Sequence, residues 1–124
     1  MKVKTSELTG AALDWLVAHC EINVVAVHNT GTIYLIDRPW KDRSRIKWIA
    51  PYTPSTSWAQ GGPIIEREKI RLDCPWNPGP WEGACKIDGT TGWVRGDTPL
   101  IAAMRCYVMA KLGDEVNVPE ELLP

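Results

Sequence analysis

The stretch from Thr98 to Gly113, TPLIAAMRCYVMAKLG, constrains the chain more than any other. Thr98 supplies an N-cap hydroxyl, Pro99 fits the first helical position where its missing N–H is not needed, and Gly113 stops the helix. Between them Leu100, Ala103, Met104, Tyr107, Val108 and Leu112 recur at helical spacing as one apolar stripe. Such a stripe has to be covered by a second layer. Arg105, the one charge well inside the helix, is expected on its polar face.

Strand signals upstream supply that layer. Asn23 to His28 and Thr32 to Ile36 are β-branched and apolar on either side of Asn29-Thr30-Gly31, and read as a hairpin. Ile70 to Cys74 reads as a strand, and Cys85 to Ile87 with Gly92 to Val94 flank Asp88-Gly89-Thr90-Thr91 as a second hairpin. Near the N-terminus, Ala12, Leu13, Leu16, Val17 and Cys20 lie at helical spacing behind Thr9. The expected fold is α+β, with an antiparallel sheet of about four to five strands packed by an N-terminal, a middle and a C-terminal helix. A length of 124 residues suits one domain with one core. Residues 1–113 are read as that domain and 114–124 as an acidic C-terminal tail along the surface.

The middle helix poses the functional question. It lies in TPSTSWAQGGPIIEREKI, residues 53 to 70, where Ser55, Thr56 or Ser57 can cap a first turn of Trp58, Ala59 and Gln60. Pro63 cannot donate to the Ala59 carbonyl and crowds it, at about 3 kcal/mol. Gly61 and Gly62 each cost roughly 1 kcal/mol more. A Pro-interrupted helix is therefore expected. In one reading the glycines admit another segment of the protein itself. In the other, Gly61 and Gly62 leave N–H groups free for an anion beside a helix N-terminus. Tyr52 and Trp58 then stack on a base while Ser55, Thr56 and Gln60 supply hydrogen bonds. Trp76 or Trp81 joins this candidate ligand pocket from the loop PWNPGPWEG, whose prolines and glycines cannot continue regular structure. The stretch matches neither G-x-G-x-x-G nor G-x-x-x-x-G-K-[ST].

Seven tryptophans with no phenylalanine suit core boundaries and stacking surfaces. In RPWKDRSRIKW the cations Arg38, Lys41, Arg43, Arg45 and Lys47 interleave with Trp40 and Trp48, the pattern of a single-stranded nucleic-acid groove. Against this, 14 basic and 15 acidic residues leave a formal charge of -1 and no global field for a polyanion. A solvated loop between strands is the preferred reading, and nucleic-acid binding through this stretch the alternative.

Cys20, Cys74, Cys85 and Cys106 form no C-x-x-C pair and have only His19 and His28 beside them, so reduced thiols are expected rather than a metal site. No cofactor is implied. No Ser/Cys-His-Asp spacing supports catalysis, and Glu66 near the glycines is the remaining acid or base. The apolar runs at 13–18 and 100–110 fall short of the roughly 20 residues of a membrane span. The N-terminus MKVKTSE lacks a signal-peptide pattern. The cytosol is the expected location.

MKVKTSELTGAALDWLVAHCE, YTPSTSWAQGGPIIERE and TPLIAAMRCYVMAKLGDEVNVPEELL resemble, in order, the blocks of the NinX family, small proteins of lambdoid and related phages and prophages. The layout is also similar to phage αβα sandwich domains. The resemblance implies an accessory protein of the bacterial host's cytosol that works by binding. The expected partner is a host protein or a nucleotide-like small molecule, with a second copy of the chain left open. It implies no particular activity, and an enzyme is not expected. Family members often carry an acidic residue where this chain has Ser57, so a role resting on an acid there does not transfer. The Arg38 to Trp48 stretch is outside the pattern.

Overall fold

A computed structural model describes residues 1–21, 23, 25–37, 47–76, 78–87 and 90–123. Strand β1 (Lys2–Lys4) leads to helix α1 (Gly10–Cys20), then strands β2 (Val25–Val27), β3 (Ile33–Asp37) and β4 (Lys47–Pro51). Helix α2 (Trp58–Glu68) separates these from β5 (Arg71–Asp73), β6 (Trp81–Ile87) and β7 (Thr90–Gly96). Helix α3 (Pro99–Leu112) and strand β8 (Glu115–Asn117) complete the chain.

The fold is α+β and antiparallel, with three α-helices among the described residues. Its eight described strands form three small sheets, β1-β8, β2-β3-β4 and β5-β6-β7, rather than one sheet of four or five. With α2 inserted between β4 and β5, the two three-stranded sheets serve different helices: α1 touches β3, whereas α3 lies along β6 and β7. Both expected hairpins form, the first with Val27 opposite Ile33; in the second, Thr90 and Thr91, read as turn residues, already belong to β7 and pair with Ile87 and Lys86.

The α3 boundaries follow their sequence signals. Thr98 Oγ1 accepts the Ile101 N–H at 3.1 Å, and Gly113, at φ 94, donates its N–H to Met109 O. Leu100, Ala103, Met104, Tyr107 and Val108 are buried as the stripe requires, and Ala102 and Cys106 join them from other faces. Leu112 does not; at the end of the helix it is 47% exposed. Arg105 also departs from expectation. Its guanidinium is drawn back into the fold, where Nε donates to Leu8 O at 2.7 Å and Nη1 to Arg95 O at 2.8 Å. Carbonyls left over where β7 ends and α1 begins make that position better than a solvated one.

The contact that sets the depth of α3 involves two glycines on neighbouring strands. A Cβ at Gly83 would stand 2.8 Å from Ala102 O, and one at Gly96 would stand 2.5 Å from Ala102 N. The helix backbone thus rests directly on β6 and β7. Since successive strand residues face opposite ways, Gly83, Cys85, Val94 and Gly96 look towards α3, and Ala84, Lys86, Trp93 and Arg95 look away.

The acidic segment after Gly113 is tied into the fold. β8 pairs with β1 through Val3 opposite Val116, and the Met1 amino group donates to Val118 O at 2.9 Å. Val116, Val118 and Leu122 are buried while Asp114, Glu115, Glu120 and Glu121 are exposed, an apolar and acidic alternation that lets one short segment close the core and stay solvated. Among the described residues no helix is long and apolar enough to cross a membrane.

Gly96→Ala is expected to destabilise the protein by about 1–3 kcal/mol, because the atom it would strike is helix backbone and cannot rotate away. Urea unfolding measures this directly, and an unchanged midpoint would mean that α3 does not rest on the sheet through this position.

Candidate functional site

The stretch before α2 is held by its own hydrogen bonds. Thr56 and Ser57 N–H both donate to Thr53 O, at 3.0 and 2.8 Å. Gln60 reaches back to the same turn, its Oε1 accepting Thr53 N–H at 2.6 Å and its Nε2 donating to Pro51 O at 2.9 Å. Gln60 is thus occupied as a clamp. Gly61 N–H is occupied too, donating to Ser57 O at 2.8 Å. A Cβ on Gly61 would meet the Pro54 carbonyl and stand 2.7 Å from Leu100 Cδ2, so this glycine is bare for the protein's own packing. A Cβ on Gly62 would meet nothing beyond its own stretch of helix. The helix runs through Pro63, which removes the bond to Ala59 O but leaves that carbonyl on an exposed residue where water can replace it.

The residues expected to form a ligand pocket therefore separate. Ser55, Thr56 and Trp58 line a shallow cavity of about 230 Å³ together with Thr98 to Ile101. Tyr52 is only 6% exposed and unavailable for stacking on a ligand. Trp76 and Trp81 do not reach that cavity: Trp76 lies under the Arg95 guanidinium, 4.6 Å from ring centroid to Cζ, and Trp81 starts β6 opposite Gly96. Of the basic and aromatic alternative, Arg38, Trp40, Lys41, Arg43 and Arg45 lie outside the described residues. Lys47 begins β4, and Trp48 packs edge-on against His28 and Tyr34.

One polar residue that the sequence reading passed over supports the turn. Asp14, on α1, is buried, and its Oδ1 accepts Ser55 N–H at 2.9 Å. Burial pushes its carboxyl up to about 6, against the lowering effect of Ser55. Ser55 Oγ is buried without a well-formed hydrogen bond. The available signal was helical position, since Asp14 shares a face with Ala11 and Ala18, three residues before it and four after.

A larger cavity, about 570 Å³, opens where the end of α2, the start of β5, the strands β6 and β7 and the last turns of α3 meet. Lys69 and Ile70 end α2 there: Lys69 adopts φ 53, and Ile70 N–H donates back to Ile65 O at 3.0 Å. This left-handed residue turns the chain into β5 and brings Lys69 and Arg71 to the cavity, with Lys86 from β6 and Lys111 from α3. Ile70, Ala84, Cys85, Tyr107 and Ala110 supply its less polar lining. The Cys85 thiol donates to Cys106 O at 3.3 Å.

Behind this cavity the acids are already paired. Glu21 accepts both Arg67 Nη atoms, at 2.9 and 2.6 Å, together with the Tyr107 hydroxyl. Glu68 accepts Arg67 Nε at 2.9 Å and lies 3.3 Å from Lys111 Nζ. The Arg67 hydrogen bonds hold both carboxyls below their usual range, while burial and then Glu21 push the Tyr107 hydroxyl up. Glu68 is the only carboxylate lining the cavity, and no ion pair joins Lys69, Arg71 or Lys86 to an acid among the described residues. The cavity is thus electropositive and suited to an anion. None of the candidate ligand- or nucleic-acid-binding residues read from the sequence lines it. Lys69 and Arg71 are near neighbours in sequence, β5-β6 pairing brings Lys86 towards them, and the packing of α3 adds Lys111.

Two substitutions separate packing from ligand access at the glycine pair. Gly61→Ala should cost about 1–3 kcal/mol against the Pro54 carbonyl, whereas Gly62→Ala, which precedes Pro63 and meets no more distant atom, should change stability by less than about 1 kcal/mol. Equal urea midpoints for the two variants would contradict this placement. For Asp14 the folded carboxyl titrates near 6 instead of 3.8, so the native state binds the proton more tightly and stability falls as pH rises from about 4 to 6. The fall amounts to roughly 3 kcal/mol at most. Asp14→Asn should remove this component, and identical stability profiles for the variant and the wild type across that window would refute it.

The profile of a family described as Bacteriophage P22, NinX matches residues 4–111, and the chain belongs to that family of phage proteins. The match takes in every residue that lines the larger cavity. No curated protein matches the chain.

Proposed function

We propose that this NinX-family protein acts by occupancy, holding an anionic, nucleotide-like small molecule in the larger cavity within the cytosol of the bacterial host, without a catalytic step. The reading rests on one observation: Lys69, Arg71 and Lys86 approach the cavity without ion-pair partners among the described residues, while the nearby acids Glu21 and Glu68 are paired with Arg67 and Lys111. A volume of about 570 Å³ falls within the range of small-molecule sites. The cations offer charge to phosphate, while Ile70, Ala84 and Tyr107 are buried and form the wall behind them. Host-protein docking is the companion reading, favoured by Trp58, which is 56% exposed beside the smaller cavity.

Thermal unfolding in the presence of mononucleotides, cyclic dinucleotides and inorganic phosphate tests the cavity. A ligand at a hundred times its Kd contributes about 2.7 kcal/mol and should raise Tm by several degrees. Lys69→Ala combined with Lys86→Ala should abolish the shift, whereas Trp58→Ala should leave it intact. A shift that survives the double substitution, or the absence of any shift with all of these anions, would remove the proposal.

A further inference from the structure

We infer that the cavity also accepts a phosphate of a single-stranded nucleic acid, whose bases continue over the outer face of the β5-β6-β7 sheet; the inference rests on the anion-binding function proposed above. The inner face of this sheet is closed by α3 through Gly83 and Gly96. On the opposite face, pairing places Arg71, Ala84 and Trp93 in one row across the three strands. Trp93 is 45% exposed, with the Arg71 guanidinium 5.7 Å from its ring centroid. Two residues along β7, Arg95 stands over the ring of Trp76, which is 42% exposed.

The face therefore presents two cation–aromatic pairs side by side. Trp93 and Arg95 lie about 6.8 Å apart along the strand, roughly twice the stacked-base spacing, so an extended strand can present neighbouring bases to the two pairs. Aromatic rings stack on any base, and guanidinium groups add both stacking and phosphate contacts. Arg71 and Lys86 belong to the cavity and to this face, which makes the two surfaces continuous.

Charge and shape both bear on what this face accepts. Glu82 shares it, 3.9 Å from Arg95, and Asp73 accepts the Cys74 N–H at 2.8 Å. With these acids present and a chain charge of -1, stacking has to carry much of the affinity. A protein partner is less well matched, because an interface core calls for clustered apolar side chains, and Ala84, the aliphatic residue of the central row, is already buried. A duplex keeps its bases stacked inside and cannot use the rings.

Binding of the full chain to a twelve-residue oligothymidylate, to thymidine monophosphate and to a duplex of equal length, followed by tryptophan fluorescence at low salt, tests the inference. The oligonucleotide should bind at least tenfold more tightly than either comparison ligand. Three to four phosphate contacts should give a slope of log K against log salt of about −2 to −3. Trp93→Ala should weaken oligonucleotide binding about fivefold to a hundredfold without altering the melting temperature of the free protein, and Trp93→Phe should restore part of it. If the monophosphate binds in a Lys69- and Lys86-dependent way but chain length and Trp93 do not matter, the inference fails and the cavity function stands. Failure of every anion to bind overturns both. Oligonucleotide binding that needs Trp93 but survives loss of Lys69 and Lys86 overturns the joint site.

Discussion

The approach of α3 to the β6-β7 hairpin governs the rest of the molecule. With Gly83 and Gly96 bare beneath Ala102, the helix lies on the sheet at backbone contact, closer than any side-chain interface allows. At that depth Ala102, Ala103, Cys106 and Val108 are fully buried, and Arg105 can reach both Leu8 O and Arg95 O. One helix thus joins the N-terminal turn to the second sheet. Its last turns then carry Tyr107, Ala110 and Lys111 to the point where α2 ends, and the larger cavity is the space left between them.

The polar cluster at that point determines the charge of the cavity. Glu21 from the end of α1 and Glu68 from the end of α2 would each cancel a nearby cation if they faced inward unpaired. Instead Arg67 spans the two carboxylates, with Tyr107 completing Glu21 and Lys111 completing Glu68. Arg67 is half exposed, so the pairs add little to stability by themselves. Their larger effect is on field: acids consumed behind the cavity leave Lys69, Arg71 and Lys86 to set its potential.

The elements that could be read from the sequence are those whose signals are local. α3 announces both ends through Thr98, Pro99 and Gly113, and both hairpins form where they are read, though Thr90 and Thr91 of the second belong to β7 rather than to the turn. Features that depend on distant partners were not legible. Three residues at 115–117 become a strand only because β1 lies beside them, and the acidic composition there points the other way. The pairing of Trp93 and Trp76 with the guanidinium groups of Arg71 and Arg95 arises only in the fold. Pro63 costs less here than in a helix interior in general, because the orphaned carbonyl belongs to Ala59, the exposed second residue of the helix.

The glycines sharpen where function should be sought. Gly61, Gly83 and Gly96 all sit inside regular elements, and at all three a Cβ would collide with another part of the same chain. Bareness at these positions serves packing, so the attraction of Gly61 as a phosphate cradle disappears once its N–H is bonded to Ser57 O and its α-carbon lies against Pro54. Ligand access has to come from groups that packing does not consume. In this chain those are the long cationic side chains around the larger cavity and the tryptophans on the sheet face turned away from α3. Both sets meet at Arg71, which stacks on Trp93 and lines the cavity, and that shared residue is why the two surfaces are read as one site.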